Sequence, residues 1–251
     1  MKILLVADLH YTLKQWDWVN HVSERFDLVV VAGDLLDIVS PVDLEVQILV
    51  VRKYLKRIAP RVRLLVSSGN HDGDARNDAG ESVAAWIPET GSGDGDILVD
   101  GDSFEENDLF FTICPWWDGP ETKAEVAELF ARDVTRAEGK SWIWVYHAPP
   151  ADSPVSWTGK KFYGDSALCG WIGQYRPAMV LSGHVHHAPF ANEGSWVDRI
   201  DATLVFNMGR QIGPVPAHIV LDTDAGSARW YSLAGNEVVS LEGPVKRREL
   251  G

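Results

Sequence analysis

The chain has 251 residues, 45% hydrophobic and 24% charged, and this composition excludes a disordered, collagen-like or low-complexity protein. The length predicts a single α/β domain over residues 1–251 with one sizeable core. Thirty-six acidic residues against 23 basic ones give a formal charge of -13, which disfavours nucleic acid and anionic lipid as partners.

The N-terminus and the cysteines indicate the compartment. Residues 3–7 form an apolar run that is too short for a signal peptide, and Asp8 interrupts it. No stretch approaches the roughly 20 apolar residues that a membrane span needs. Cys114 and Cys169 are too few for a disulfide framework and have no zinc-finger spacing. We therefore expect a cytoplasmic protein with no membrane segment.

Five short apolar runs, each ended by a polar cluster, predict strands that are buried on both faces. These runs are residues 3–7, 28–32, 62–67, 142–146 and 179–181. Helical patterns between and after them predict helices over residues 16–26, 42–57, 81–86, 120–138 and 166–175. Such alternation indicates an α/β protein whose sheet is covered on both faces, with its site at the carboxyl ends of the strands.

The rest of the chain is predicted to contain loops and short strands. Residues 91–108 are acidic and glycine-rich, which favours a loop with one short strand at 97–99. The C-terminal third predicts strands at 204–207, 217–222 and 228–232 within the same core. Residues 246–249 are expected to form a solvated tail.

The polar clusters after the predicted strands carry a set of metal ligands without any thiolate. They are Asp8, His10, Asp34, Asn70, His147, His184 and His186. Seven mixed oxygen and nitrogen ligands are too many for one tetrahedral zinc, but they fit two ions that share a carboxylate. The set suits Mn, Fe or Zn. Two such ions activate a bridging water as hydroxide and neutralise a phosphoryl oxygen, which predicts hydrolysis of a phosphoester.

The same clusters resemble the five signature blocks of the calcineurin-like metallophosphoesterase family, in the family's order. The blocks are Asp8-x-His10, Gly33-Asp34-x-x-Asp37, Gly69-Asn70-His71-Asp72, Tyr146-His147-Ala148-Pro149-Pro150 and Gly183-His184-x-His186. The resemblance spans residues 8–186. It implies a four-layer α/β/β/α sandwich with two central mixed sheets.

The resemblance also implies a role for each ligand. Asp8, His10 and His186 would bind the first metal; Asn70, His147 and His184 would bind the second; Asp34 would bridge. By the same resemblance His71 faces the leaving group, stabilises the transition state or protonates the departing oxygen, and Asp72 orients it. An imidazole suits that role because its ordinary pKa lies near 6.5.

Each block also has a plainer interpretation. Asp8 and Asp34 fit turn or N-cap positions, the segment around Asn70 has turn composition, and His184 and His186 fit two surface histidines. Asp37 is expected to cap or orient locally, and His187 is expected to be exposed. Five such accidents in the family's order are improbable, which favours the metal site.

Six further residues are candidates for substrate contacts. They are Trp116, Trp117, Lys160, Lys161, Tyr163 and Arg210. The two tryptophans suit a pocket wall, although an aromatic residue also suits a core. The lysines and Tyr163 suit a loop that faces an anionic substrate, although a solvated loop is the alternative.

The predicted function is a dinuclear-metal phosphoesterase that acts on a small-molecule or nucleotide phosphodiester. A phosphomonoesterase for nucleotide or sugar phosphates is the first alternative. A protein-binding scaffold on the same fold is disfavoured because no ligand type is missing, and a single-metal hydrolase is a further alternative. The acidic charge and 11 tryptophans permit a homodimer without demanding one.

Overall fold

Two mixed β-sheets form the centre of the computed structural model, which describes residues 1–91 and 95–249. The strands, in chain order, are β1 (Lys2–Val6), β2 (Leu28–Ala32), β3 (Arg63–Ser67), β4 (Ala75–Arg76), β5 (Ser82–Val83), β6 (Ile97–Leu98), β7 (Ser103–Glu106), β8 (Leu109–Ile113), β9 (Ser141–Val145), β10 (Met179–Ser182), β11 (Val197–Ile200), β12 (Thr203–Asn207), β13 (His218–Asp222), β14 (Ser227–Ser232), β15 (Gly235–Ser240) and β16 (Arg248–Glu249).

The helices are α1 (Leu13–Val22), α2 (Leu44–Ile58), α3 (Pro120–Asp133) and α4 (Ser166–Tyr175). The longest, α2, has 15 residues. No helix within the described ranges combines the length and the apolar character that crossing a membrane requires.

The first sheet has the strand order β16-β15-β14-β13-β1-β2-β3-β6, and the second has the order β11-β12-β10-β9-β8-β7. Strands β1, β2, β3 and β6 run parallel, as do β8, β9, β10 and β12. The parallel strands of each sheet therefore present their carboxyl ends along one edge. Strands β4 and β5 form a separate antiparallel pair.

Alternation along β1 explains the layering of the first sheet. Ile3 and Leu5 belong to the core between the two sheets, whereas Leu4 and Val6 pack in the cluster that includes Trp16 of α1. Successive residues of a strand point to opposite faces, so a run that is apolar throughout must be covered on both sides.

The second sheet is covered in the same way. Val145 faces the core between the sheets, whereas Trp144 packs with Phe130 of α3 and Trp171 of α4. The rings of Phe130 and Trp144 are stacked, with their centroids 3.9 Å apart. The layers are therefore helix, sheet, sheet and helix, which confirms the predicted four-layer architecture.

The expected helix over 81–86 is wrong. The segment forms β5 and a turn, and the Glu81 carboxylate reaches the first turn of α3. It accepts hydrogen bonds from the backbone N–H groups of Glu121 and Thr122 at 2.9 and 2.8 Å. Glu81 thus satisfies free N–H groups at the start of another helix, which stabilises that helix instead of one of its own.

Other boundaries also differ from the expectations. Helix α1 covers Leu13–Val22 instead of 16–26, and α3 ends at Asp133, whose carboxylate accepts a hydrogen bond from Thr112 in the sheet. The expected tail at 246–249 contains β16, which pairs with β15. The predicted loop over 91–108 contains β7 as well as β6, and its residues 92–94 lie outside the described ranges.

Candidate metal centre

The predicted ligands lie in turns that follow five strands, where the carboxyl ends of the two sheets meet. Asp8 and Asp34 follow β1 and β2 of the first sheet, and His184 follows β10 of the second. The backbone N–H of His184 donates to both carboxylate oxygens of Asp8 at 3.0 Å. This contact ties the turns of the two sheets together at the site.

A first group of ligand atoms belongs to Asp8, His10, Asp34 and His186, and these atoms lie within 4.8 Å of one another. The Nε2 atom of His186 is 3.2 Å from Asp8 Oδ1 and 3.0 Å from His10 Nε2. Both aspartates are buried, with 0% and 1% of their surface exposed. The group therefore concentrates two carboxylates and two imidazoles in a site largely removed from water.

A second group adjoins the first and contains Asp34, His147 and His184. His147 Nε2 lies 3.3 Å from Asp34 Oδ2, and His184 Nδ1 lies 2.8 Å from the Asn70 side-chain oxygen. Asp34 belongs to both groups, so the site consists of two ligand clusters with one carboxylate in common.

Two glycines permit the sheets to approach so closely. A Cβ atom at Gly183 would lie less than 3.0 Å from the Asp8 carboxylate, and a Cβ at Gly33 would lie equally close to the His147 ring. Gly33 also has φ +86, a conformation that other residues rarely adopt. Each sheet thus has a glycine, which has no side chain, at the point where a candidate ligand of the other sheet lies.

Four of the candidate ligands have left-handed backbone conformations. The φ angles are 54° for Asp8, 41° for His10, 53° for Asp34 and 68° for His184. Such angles are uncommon for residues with a side chain and persist only where the surroundings enforce them. The backbone is strained where it directs these side chains into the site.

The charges of the site favour cation binding. Burial by itself raises the pKa of Asp8, but its imidazole neighbours outweigh burial and hold that pKa well below its ordinary value. Burial lowers the pKa of His184 to about 4, with a further contribution from His147. Burial also lowers the pKa of His147, yet the Asp34 and Asp8 carboxylates raise it to about 9. Ionised carboxylates and neutral imidazoles are the forms that coordinate metal ions, so a bound ion would displace the proton that His147 holds near neutral pH.

The hydrogen bonds of the Asp72 carboxylate come from backbone donors and not from the His71 ring. The Asp72 carboxylate accepts backbone N–H groups of Leu35 and Leu36 on one oxygen and of Gly69 on the other, at 2.8 to 3.0 Å. Burial and the nearby Asp34 carboxylate raise the pKa of Asp72 to about 8. The backbone hydrogen bonds act in the opposite direction and lower this pKa. Asp72 therefore joins the turns after β2 and β3 and does not contact the His71 ring.

Asp37 accepts a local hydrogen bond from the Val39 backbone N–H at 3.1 Å, as expected, and also lies near His71. The ligand atoms of Asp37, His10 and His71 lie within 4.8 Å of one another, and the rings of His10 and His71 meet edge to face with centroids 4.5 Å apart. The His71 backbone N–H donates to Asp34 Oδ1 at 2.9 Å, which holds the residue against the shared carboxylate. The sequence feature that points to a place for Asp37 near the site is its position in the Gly33-Asp34-x-x-Asp37 block.

The donor atoms fit metal ions. His147 Nδ1 lies 2.7 Å from the backbone oxygen of Ala32, so that Nε2 is left as the ligand nitrogen. This Nε2 is buried and makes no hydrogen bond to any described residue. An orphaned imidazole nitrogen beside a buried carboxylate is the arrangement expected of a cation site, and the mixed oxygen and nitrogen donors suit Mn, Fe or Zn.

Three of the predicted substrate contacts line one cavity of about 350 Å³ next to His184. They are Trp116, Trp117 and Tyr163. The Tyr163 ring is stacked on His184 with centroids 5.2 Å apart, and the Trp116 ring lies 5.5 Å from His184 and 5.8 Å from His147. We refer to this space as the aromatic cavity.

The predicted basic contacts lie around the site. Lys160 and Lys161 are exposed on the loop before Tyr163, and the Lys161 Nζ atom is 5.5 Å from the centroid of the Tyr163 ring. Arg210 is half-buried, and its backbone N–H donates to the His186 carbonyl at 3.1 Å. His187 is exposed, as expected.

Comparison with known sequences identifies the family. The sequence model of the calcineurin-like phosphoesterase family matches residues 1–188. The chain belongs to this family. It is accordingly a metal-dependent phosphoric ester hydrolase, as the ligand blocks predict. No curated protein matches the sequence.

Three solved structures share the fold at low sequence identity. The protein TT1561 of Thermus thermophilus has a TM-score of 0.59 and 11% identity, and the match covers 96% of this chain and 99% of that chain. A dimetal phosphatase from Danio rerio has a TM-score of 0.52 and 10% identity, with 99% and 98% covered.

The third structure is purple acid phosphatase PPD1 from yellow lupin seeds. It has a TM-score of 0.56 and 14% identity. The match covers 98% of this chain and 52% of the lupin chain, so this chain spans about half of that protein. At such identities these likenesses concern the fold.

Proposed function

We propose that this enzyme hydrolyses a phosphodiester of a small molecule or nucleotide, with two divalent ions held at the two ligand groups. The observation that carries the proposal is the common carboxylate. Asp34 belongs to both groups, and its ligand atom lies within 4.8 Å of those of His147 and His184 on one side and of Asp8, His10 and His186 on the other.

The ligands divide as follows. Asp8, His10 and His186 would hold one ion, Asn70, His147 and His184 would hold the other, and Asp34 would contact both. Asn70 joins the second group because its side-chain oxygen lies 2.8 Å from His184 Nδ1. Both sets combine oxygen and imidazole donors, which suits Mn, Fe or Zn.

The protein positions substrate and moves a proton. When bound, two divalent ions neutralise the charge of a phosphoryl oxygen and make water a nucleophile near neutral pH. His71 donates a proton to the oxygen that leaves phosphorus. Its backbone N–H donates to Asp34, and the Asp37 carboxylate, which has an oxygen within 4.8 Å of a ring nitrogen of His71, would orient the ring. Proton donation by a positioned histidine contributes roughly 10²- to 10⁴-fold to a rate.

The aromatic cavity supports a diester over a monoester. It opens beside His184 and has about 350 Å³ of space, which is room for a second substituent on the phosphate. A monoester has no second group to place there. A phosphomonoesterase acting on nucleotide or sugar phosphates is the alternative.

The proposal is tested by hydrolysis of bis-p-nitrophenyl phosphate and p-nitrophenyl phosphate after the metal has been stripped and Mn²⁺ reloaded. We expect a higher kcat/KM for the diester. Asn70→Ala, which removes one ligand of the second ion, should abolish the activity. His187→Ala is the matched control, because this exposed residue adjoins His186 without belonging to either group.

Each result has a definite meaning. Preference for the monoester would replace the diester proposal with the phosphomonoesterase. Full activity in Asn70→Ala would contradict the ligand assignment. Absence of turnover on both substrates with two ions bound per chain would favour the protein-binding scaffold.

A further inference from the structure

The aromatic cavity lies on one side of the ligand clusters. Its walls are Trp116, Trp117 and Tyr163, and His184 of the second group forms part of its lining. The cavity volume of about 350 Å³ falls within the range of small-molecule sites. Any group bound there would be directly beside the second ligand group.

His71 is associated with the first ligand group. Its ring contacts His10, a member of the first group, and its ligand atom clusters with that of Asp37. His71 does not line the aromatic cavity. The group that donates the proton and the cavity that accepts a substituent are therefore associated with different ligand groups.

We propose that the aromatic cavity holds a planar ring on the phosphate substituent that is not expelled, so that the preferred substrates are nucleoside or aryl phosphodiesters. This inference rests on the proposed function. Hydrolysis forms a bond from the water oxygen to phosphorus and breaks the P–O bond on the His71 side. The leaving oxygen takes a proton, and the ring stays esterified as a phosphomonoester.

The wall chemistry selects a planar ring. Stacking on tryptophan and tyrosine tolerates any aromatic base, because every base has a π-face. Tyr163 is 53% exposed, so its ring stands at the edge of the cavity within reach of a ligand. Trp117 is held in place by a hydrogen bond, since its indole N–H donates to the Asp165 carboxylate at 3.0 Å.

Local charge fits the phosphate that such a ring carries. The Lys161 ammonium lies 5.5 Å from the Tyr163 ring centroid, and the Lys123 ammonium lies 5.2 Å from that of Trp117. These two cations counter the carboxylates of Asp118 and Asp165, which also line the aromatic cavity, where an anionic substrate approaches.

A larger cavity of about 570 Å³ lies on another side of Trp116 but fits this role less well. Acidic residues line both cavities, and the larger one also has Arg132 in its lining. None of the proposed metal ligands lines the larger cavity, so a group bound there would not adjoin the ligand clusters.

The experiment compares two substrates that share one leaving group. Thymidine 5′-monophosphate p-nitrophenyl ester and methyl p-nitrophenyl phosphate both release p-nitrophenolate, and they differ only in the retained group. We expect the wild-type kcat/KM to be at least about tenfold higher for the thymidine ester. A ratio near one would overturn the proposal.

Two variants locate the effect. Trp117→Leu and Tyr163→Ala should each lower the ratio of the two kcat/KM values by roughly 5- to 100-fold. The ratio is decisive because loss of metal or of folded protein lowers both values together. Phe162→Ala is the matched control, since this exposed ring lies on the same loop and does not line the aromatic cavity. A ratio in Trp117→Leu and Tyr163→Ala that equals the wild-type ratio would overturn the proposal.

A binding measurement separates this inference from the proposed function. Thymidine carries no phosphate, so its contact with the metal-loaded protein is measured by saturation-transfer NMR without turnover. We expect saturation transfer to the protons of the thymine base in the wild type. We expect this transfer to be lost in Trp117→Leu, even if neither ester is hydrolysed. Absence of transfer in the wild type would overturn the aromatic cavity as a ring site, whatever the activity proves to be.

Discussion

The two sheets bring different chemistry to the site. The turns of the first sheet supply the oxygen donors Asp8, Asp34 and Asn70, together with one imidazole, that of His10. The turns of the second sheet supply the three other imidazoles, those of His147, His184 and His186. Neither sheet contains a complete set for either ion, so the metal centre exists only where the sheets meet.

Burial separates the two carboxylates from the two histidines that follow β10. Asp8 and Asp34 are 0% and 1% exposed, whereas the His186 side chain is 29% exposed and His184 is half-buried. The aromatic cavity also opens beside the second sheet's His184. The two aspartates thus provide buried negative charge, and the more exposed His184 lines the aromatic cavity.

Removal of the shared carboxylate tests this division most severely. Asp34→Asn keeps the shape of the side chain but removes the charge that both groups share. We expect loss of both ions and a fall of about 10⁴-fold or more in kcat/KM for bis-p-nitrophenyl phosphate. Metal per chain is measured by elemental analysis after dialysis, with His187→Ala as control. Retention of two ions in Asp34→Asn would contradict the shared role.

Two single-histidine variants separate the groups. His186→Ala removes a ligand of the first group only, and His184→Ala removes a ligand of the second only. We expect each variant to keep about one ion per chain and to lose about 10³-fold in kcat/KM, because both ions are needed. The assignment fails if either variant loses both ions or keeps two.

The proton donor is tested apart from the metals. His71→Gln should keep two ions and lower kcat by about 10²-fold, and Asp37→Asn should lower it by about tenfold through the orientation of the same ring. Both losses should grow as the leaving group becomes more basic, which a series of substituted phenyl esters measures. A loss independent of the leaving group would show that neither residue serves proton transfer.

The smallest expected effect is on stability and concerns Asp100. Unlike Asp8, its carboxylate has no imidazole among the groups that shift its pKa. Burial raises the pKa of Asp100 from 3.8 to about 7, although the Ser68 backbone N–H donates to it. The folded state therefore holds this proton more tightly than the unfolded state does. Its stabilising effect is present below pH 3.8 and is lost as the pH rises to about 7.

Asp100→Asn removes this titration and keeps an oxygen for the Ser68 N–H. The free energy of unfolding of the variant, relative to wild type, should rise between pH 4 and pH 8, because only the wild type loses the stabilising proton in this range. Urea unfolding at both pH values measures it, and Asp102→Asn serves as the control for loss of a nearby charge. A constant difference between variant and wild type would show that Asp100 ionises normally in the folded protein.

The sequence by itself determined the α/β class, the central strands and the set of candidate ligands. Each depends on local signals. An unbroken apolar run such as residues 28–32 predicts a strand buried on both faces, and the polar cluster after it predicts a turn at the strand's carboxyl end. The family resemblance of the blocks added the four layers, which the clusters of apolar side chains on both faces of each sheet confirm.

Only the tertiary structure decided the contacts between distant segments. Glu81 acts at the start of α3, about 40 residues further along the chain, so its helical sequence pattern was misleading. Asp72 hydrogen-bonds to the turn after β2, although its place in the sequence suggested a partnership with His71. In both cases a side chain satisfies backbone N–H groups that no sequence pattern identifies.

The aromatic cavity has the same origin. Trp116 and Trp117 follow β8 and Tyr163 precedes α4, so their closeness to His184 depends on the packing of the second sheet and its loops. Periodicity and turn composition report how a residue lies within its own element. Which elements meet is decided by burial of both faces of each sheet, and this burial brings a carboxylate from one sheet to an imidazole of the other.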